Sequence, residues 1–190
     1  MENFLCRADF IRADADTWGV VGNTYMIVAY DLARPYAAFL MSLLLFGWAL
    51  GAPATGWLSD RLGRRKPILI AGSVIVCLML FLLVFIPYLP LPVAVTIIII
   101  IGFSGGSMAT CFALVRDVLP DRITGAATGI VNALTVASGA VLQPVVGLLL
   151  DLQAADDAAS YTEVVFRQAF CAILVTTFAG LLVALCLREK

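Results

Sequence analysis

Gly56-Trp57-Leu58-Ser59-Asp60-Arg61-Leu62-Gly63-Arg64-Arg65-Lys66 is the stretch on which the fold of this chain turns. It separates two long apolar runs and is the densest charged segment in the sequence. Five charges, four of them basic, are costly in hydrocarbon, so the stretch is predicted to form a tight turn at a membrane surface. Lys and Arg concentrate in cytoplasmic loops, which places the turn inside the cell and sets the topology of everything else.

Composition carries the membrane assignment to the whole chain. Of 190 residues, 62% are hydrophobic and 13% charged, against about 45–50% and roughly 25% in a soluble domain. A net charge of −1 gives no basic field for nucleic acid. The absence of His excludes a His-based triad and a His metal site, and no nucleophile–base constellation points to an enzyme. No catalytic residue, metal or cofactor is expected. Cys6, Cys77, Cys111, Cys171 and Cys186 show no Cys-x-x-Cys spacing, and four of them lie in apolar runs, where they read as small buried hydrophobes. Residues 1–16 have no basic start followed by an apolar core, so they do not read as a signal peptide.

Outward from the turn, two regions follow. Residues 1–35 form a polar segment carrying an apolar piece, Trp18 to Tyr30, which is too short for a span of about 20 residues and is expected at the interface. Residues 36–190 form a membrane domain of five spans, at about 36–58, 67–85, 93–115, 124–150 and 164–187. Pro67 suits the start of the second span, where a missing N–H costs nothing. A proline-rich turn with an interfacial Tyr88 closes it, and a second charged turn, Arg116 to Arg122, closes the third. The connection from Asp151 to Glu163 carries four acidic residues and no basic one. Five alternating spans put Arg61, Arg64, Arg65, Lys66, Arg116, Arg122, Arg188 and Lys190 on one side. Arg7, Arg12, Arg34 and Arg167 fall on the other, eight against four. By the positive-inside rule the C-terminus is cytoplasmic and the N-terminus outside.

An internal pattern links the first and fourth spans. Pro53-x-x-Gly56-x-x-x-Asp60 recurs as Pro144-x-x-Gly147-x-x-x-Asp151, displaced by 91 residues and ending at the opposite face. An inverted repeat of three helices gives that result, as in secondary carriers.

Several residues stand out for what they do in lipid. Gly56 and Gly63 allow close approach and tight turning. Asp60 suits a helix N-terminus or a cation, and Arg61, Arg64 and Arg65 suit other helix ends. Arg116 is expected near the height of Asp60, either paired with it or as a plain anchor. Lys66 reads as an anchor. Gly125 and Gly129 make a G-x-x-x-G pair for helix packing. Asn132, Thr135 and Ser138 recur at helical spacing with Gln143 nearby, a stripe that either lines a solute path or bonds neighbouring helices. Ser104-Gly105-Gly106-Ser107 either lines a cavity or permits close packing. Trp48 either stacks on a solute or packs. No Asp, Glu, Lys, Arg or His falls mid-span, so a proton-coupling residue is not expected in these five spans.

The turn, filled at every position as Gly-x-x-x-Asp-Arg-x-Gly-Arg-Arg-Lys, resembles the signature loop of the major facilitator superfamily of secondary transporters. Phe112 to Asp117 and the run from Gly125 to Asp151 extend the resemblance over roughly residues 18–188. It implies an all-α polytopic membrane helix bundle, a partial major-facilitator fold whose spans are similar to helices eight to twelve, the C-terminal half of a twelve-helix carrier. Trp18 to Leu32 resembles the end of helix seven. The resemblance further implies acid–Arg contacts near the turn that hold the outward-facing state, and alternating access in the transport of a small organic solute. The expected setting is the lipid bilayer of a bacterial inner membrane, with an N-terminal-half chain or another copy as partner. The alternative is a half-carrier remnant or membrane scaffold that binds a partner chain without transporting.

Overall fold

The computed structural model describes residues 13–86, 89–153 and 163–185. Cys6, Tyr88, Cys186, Arg188, Lys190 and most of the acidic connection after Gln153 lie outside the described residues. Helix α1 spans Ala13–Tyr30 and α2 Arg34–Leu62. Helix α3 spans Lys66–Phe85 and α4 Leu91–Gly105. A 3-10 turn, Gly106–Met108, leads into α5, Ala109–Val118. Helix α6 spans Asp121–Gln153 and α7 Glu163–Leu185. Among the described residues there is no strand.

Local chemistry sets the ends. Asp31 takes a left-handed φ of 50° and Ala33 is extended, which turns the chain before Pro35 enters the first turn of α2. Pro67 and Pro92 occupy the same place in α3 and α4. Gly63, at φ 63°, ends α2 in the left-handed region, its N–H donating to the Asp60 carbonyl at 3.3 Å. Pro53 and Pro144, the matched prolines of the internal pattern, both sit inside long helices.

Arg34–Leu62, Lys66–Phe85 and the stretch Leu91–Val118 are each long and apolar enough to cross a membrane. The span expected as one helix at 93–115 is two helices joined by the 3-10 turn. The apolar piece expected at 18–30 belongs to an 18-residue helix that starts in the segment expected to be polar. Its C-terminal part packs into the bundle. Tyr25 and Met26 are buried. The Tyr25 ring meets Phe170 of α7 edge-on at 5.0 Å and Tyr30 at 6.1 Å. The Tyr30 hydroxyl donates to the Leu89 carbonyl at 2.8 Å.

Lipid tails are as apolar as leucine, so packing in a membrane rests on van der Waals fit rather than escape from water. The tightest fit lies between α2 and α4. A methyl group added at Gly47 would sit 2.7 Å from the Ile99 carbonyl oxygen, at Gly51 2.0 Å from that of Phe103, and at Gly102 2.1 Å from that of Leu44. At Gly106 it would meet the backbone of Gly51 and Ala52 at 2.4 Å. Four glycines in two G-x-x-x-G pairs therefore let two backbones touch. Of the two roles open to Ser104–Ser107, the structure builds close packing: Gly72 of α3 lies against Ser107 and Ser104, and Ser104 and Ser107 are buried. Around this seam, Leu44, Leu80, Val84, Ile98 and Ile101 gather with Tyr25 and Phe170 into the larger apolar core. A smaller core joins Leu69, Met108, Val115, Val131 and Ala184.

Candidate functional site

The charged turn between α2 and α3 ties helix ends together. Arg65, at the start of α3, extends its guanidinium in two directions. Nη1 pairs with Asp60 Oδ1 in the last turn of α2 and donates to Ser59 Oγ at 3.1 Å, while Nε donates to Asp117 Oδ2 of α5 at 2.9 Å. Ser59 is buried, which fixes the inner end of this network. The hydrogen bond to Asp117, with Asp60 adding to it, raises the guanidinium pKa above its ordinary value despite partial burial. Arg65 therefore keeps its charge across the accessible pH range. Lys66 Nζ donates to the Leu185 carbonyl of α7 at 2.9 Å, a cation at the end of a helix where the dipole favours one. The turn thus joins α2, α3, α5 and α7.

The acid–base link differs from the expected one. Asp60 is held by Arg65 within the turn, and the partner contributed by α5 is Asp117, not Arg116. Adjacent helical residues diverge by about 100°, so only one of the two can face the turn. Val115 packs inward, and Asp117 is the one that reaches Arg65. Arg116 is exposed, and among the described residues neither it nor Arg64 forms an ion pair. Arg61 lies over the ring of Trp57, one turn back, at 5.3 Å.

The glycines also divide differently. Gly63 makes the turn, as expected. Gly56 has open space where a Cβ would go, so it serves no close approach among the described residues. The same holds for Gly125 and Gly129, which are exposed, with nothing among the described residues within 4 Å of an added Cβ. Gly72 packs closely against Ser104 and Ser107, and the glycines that pack against another helix's backbone in paired spacing are Gly47, Gly51, Gly102 and Gly106. Their spacing was visible as Gly47-x-x-x-Gly51 and Gly102-x-x-x-Gly106, but bulky flanking residues made it less conspicuous than the small-residue run in α6.

The polar stripe of α6 splits. Thr135 is fully buried and its hydroxyl donates to the Val131 carbonyl at 2.7 Å, whereas Asn132 is exposed. A three-residue step leaves a drift of about 60° around the helix, enough to carry one residue inward and the other out. The side chains of Ser138 and Gln143 lie outside the described ones. Trp48 is half-buried on α2, its ring edge 3.9 Å from where a side chain on Gly105 would begin, at the break between α4 and α5.

Three comparisons bear on this arrangement. A family model described as Major Facilitator Superfamily matches residues 13–190. No curated protein matches the chain significantly. Among solved structures, the proton:xylose symporter XylE bound to 6-bromo-6-deoxy-D-glucose superposes with a TM-score of 0.75 at 16% identity, over 98% of this chain and 43% of that one. The inward-open xylose transporter XylE from E. coli gives 0.71 at 18% identity, over 99% and 47%. The chain spans less than half the length of either transporter chain.

Proposed function

The chain belongs to the Major Facilitator Superfamily, and from that premise we propose that it is the C-terminal half of a secondary carrier that moves a small organic solute by alternating access. In this reading α2 to α7 correspond to helices eight to twelve, with α4 and α5 together forming one of them, and α1 to the end of helix seven. The observation that carries the proposal is the Arg65 network. Carriers of this kind rock two halves about a site between them, which requires each half to move as a unit. Arg65 and Lys66 bind the ends of α2, α3, α5 and α7 at one face, and the glycine seam locks α2 to α4 through the middle. The basic turn and the C-terminus are cytoplasmic, the N-terminus is outside, and the membrane is the bacterial inner membrane. XylE, which shares the fold, is a symporter of a small sugar, and this supports a small organic solute here. Asn132, exposed on α6, and Trp48, beside the α4–α5 break, are the candidates for its path.

The test is uptake by cells expressing this chain together with an N-terminal half of a carrier of the same family, using radiolabelled sugars, organic acids and dipeptides. Uptake is expected with both halves and not with either alone. Absence of uptake with every solute, while the chain is inserted and folded, overturns the proposal.

A further inference from the structure

Helix α2 has two unlike faces. The inner one carries Gly47 and Gly51 against α4. The outer one carries Phe39, Phe46, Leu50 and Trp57, all more than half exposed. These residues lie at steps of seven, four and seven, so they form one stripe along the helix. From Phe39 to Trp57 the stripe rises about 27 Å, close to the hydrocarbon thickness of about 30 Å. Arg61 stands one turn further on, its guanidinium stacked on the Trp57 ring, and Arg64 follows in the turn. The stripe thus ends in an aromatic ring and a guanidinium, with a second arginine three residues on in the turn, the residue types of a membrane interface.

Asp60 and Asp117 are both engaged by Arg65, and Lys66 is committed to the Leu185 carbonyl. Among the described residues neither Arg61 nor Arg64 has an acidic partner. Arg116 too forms no ion pair among the described residues, but Arg61 and Arg64 stand where the aromatic stripe ends. A phosphodiester is the natural complement of arginines without an acidic partner, here three residues apart at one helix end. The stripe also argues against a packed helix as its occupant, since helix interfaces in membranes favour small residues, and the α2 glycines that meet a neighbouring backbone, Gly47 and Gly51, lie about a quarter-turn away from it.

We propose that Trp57, Arg61 and Arg64 form a binding site for the headgroup of an anionic phospholipid, whose acyl chains lie along the Phe39–Trp57 stripe. The inference rests on the chain crossing a bilayer and not on transport.

The experiment uses the full chain with Trp18→Phe and Trp48→Phe, so that Trp57 is the remaining tryptophan, in nanodiscs containing brominated phosphatidylglycerol or brominated phosphatidylcholine at equal mole fraction. Stronger quenching by the anionic lipid is expected, with an enrichment on the order of tenfold for two cations near the headgroups. It should fall towards parity in Arg61→Gln/Arg64→Gln and survive in Arg116→Gln/Arg122→Gln, which removes the same charge elsewhere on that face. If the double variant fails to fold, Arg61→Gln and Arg64→Gln taken singly should each weaken the preference while Arg116→Gln does not, a contrast that a bulk surface potential, screened by salt from every cation alike, would not give. Equal quenching by both lipids overturns the proposal, as does equal loss in the two double variants, which would mark a bulk surface potential. No quenching by either lipid would show that a protein surface covers Trp57, and would overturn it too.

Discussion

Three G-x-x-x-G pairs in this chain meet two opposite fates. Gly47 and Gly51 of α2 face Gly102 and Gly106 across a seam in which backbone touches backbone, whereas Gly125 and Gly129 of α6 look onto open space. The pattern is therefore permission for close contact and not its cause. A second backbone must be delivered to the same height, and here the charged turn and the proline-led start of α4 deliver one to α2. Helix α6 receives none at Gly125 and Gly129, and contributes Ala127, Val131 and Thr135 to the core from another side.

The largest effect should come from breaking the seam. In Gly51→Ala the added methyl would lie 2.0 Å from the Phe103 carbonyl oxygen, and backbone on both sides cannot rotate away as a side chain would. A loss of about 3 kcal/mol, at the upper end for overpacking, or failure to fold is expected. Thermal unfolding in detergent followed by circular dichroism reads it. A Gly51→Ala protein as stable as the unsubstituted chain would show that α2 and α4 separate easily, and the comparison would collapse.

The charged network is the next test, because it holds the seam in register from one end. Asp117→Asn removes the charge on the acceptor of Arg65 Nε, while Arg116→Gln alters a neighbour that forms no ion pair among the described residues. The Asp117 side chain is half exposed, so a loss of about 1 kcal/mol is expected for Asp117→Asn and close to none for Arg116→Gln. A double-mutant cycle with Arg65→Gln should show coupling to Asp117 and not to Arg116.

How much of this was legible follows from what sequence periodicity encodes. Long apolar runs, charged turns and prolines in first turns mark five spans, and each falls on a helix or, for the third, on the pair α4 and α5, because chain length in lipid and the cost of charge are one-dimensional properties. The 3-10 turn at Gly106–Met108 escaped, since hydropathy does not register a change in helical winding. At the site, Asp60, Arg65 and Gly63 were legible as parts of one turn. The choice between Arg116 and Asp117 was not, because it depends on the angle at which α5 reaches that turn. The α6 stripe read as one face because residues three apart are near neighbours, yet Thr135 and Asn132 fall on either side of the burial boundary. The apolar piece Trp18 to Tyr30 falls short of the roughly 20 residues of a span, yet Tyr25 and Met26 pack it into the bundle as the C-terminal part of α1.

A finer contrast lies within the signature turn. Gly63 takes φ 63°, where a Cβ is strained, and Gly56 sits in a regular helix with open space beside it. Gly63→Ala should cost about 1 kcal/mol, and Gly56→Ala should be neutral or gain roughly 0.5 kcal/mol through a stiffer unfolded chain. Unfolding midpoints measured side by side decide it. Equal losses at the two sites would mean that Gly56 meets another backbone after all.

The smallest effect is the one that returns to α6. Gly129→Ala adds a methyl group into open space on a helix, which should change stability by no more than about 1 kcal/mol and in the favourable direction. Stability of this chain alone and uptake with an N-terminal half then separate two roles for the surface. If Gly129→Ala is stabilising in isolation and neutral in uptake, the glycine pair is an unused permission, open to lipid. If it is stabilising in isolation but abolishes uptake, a second backbone approaches α6 only when the other half is present, and the α6 pair becomes the counterpart of the α2–α4 seam, completed between chains instead of within one.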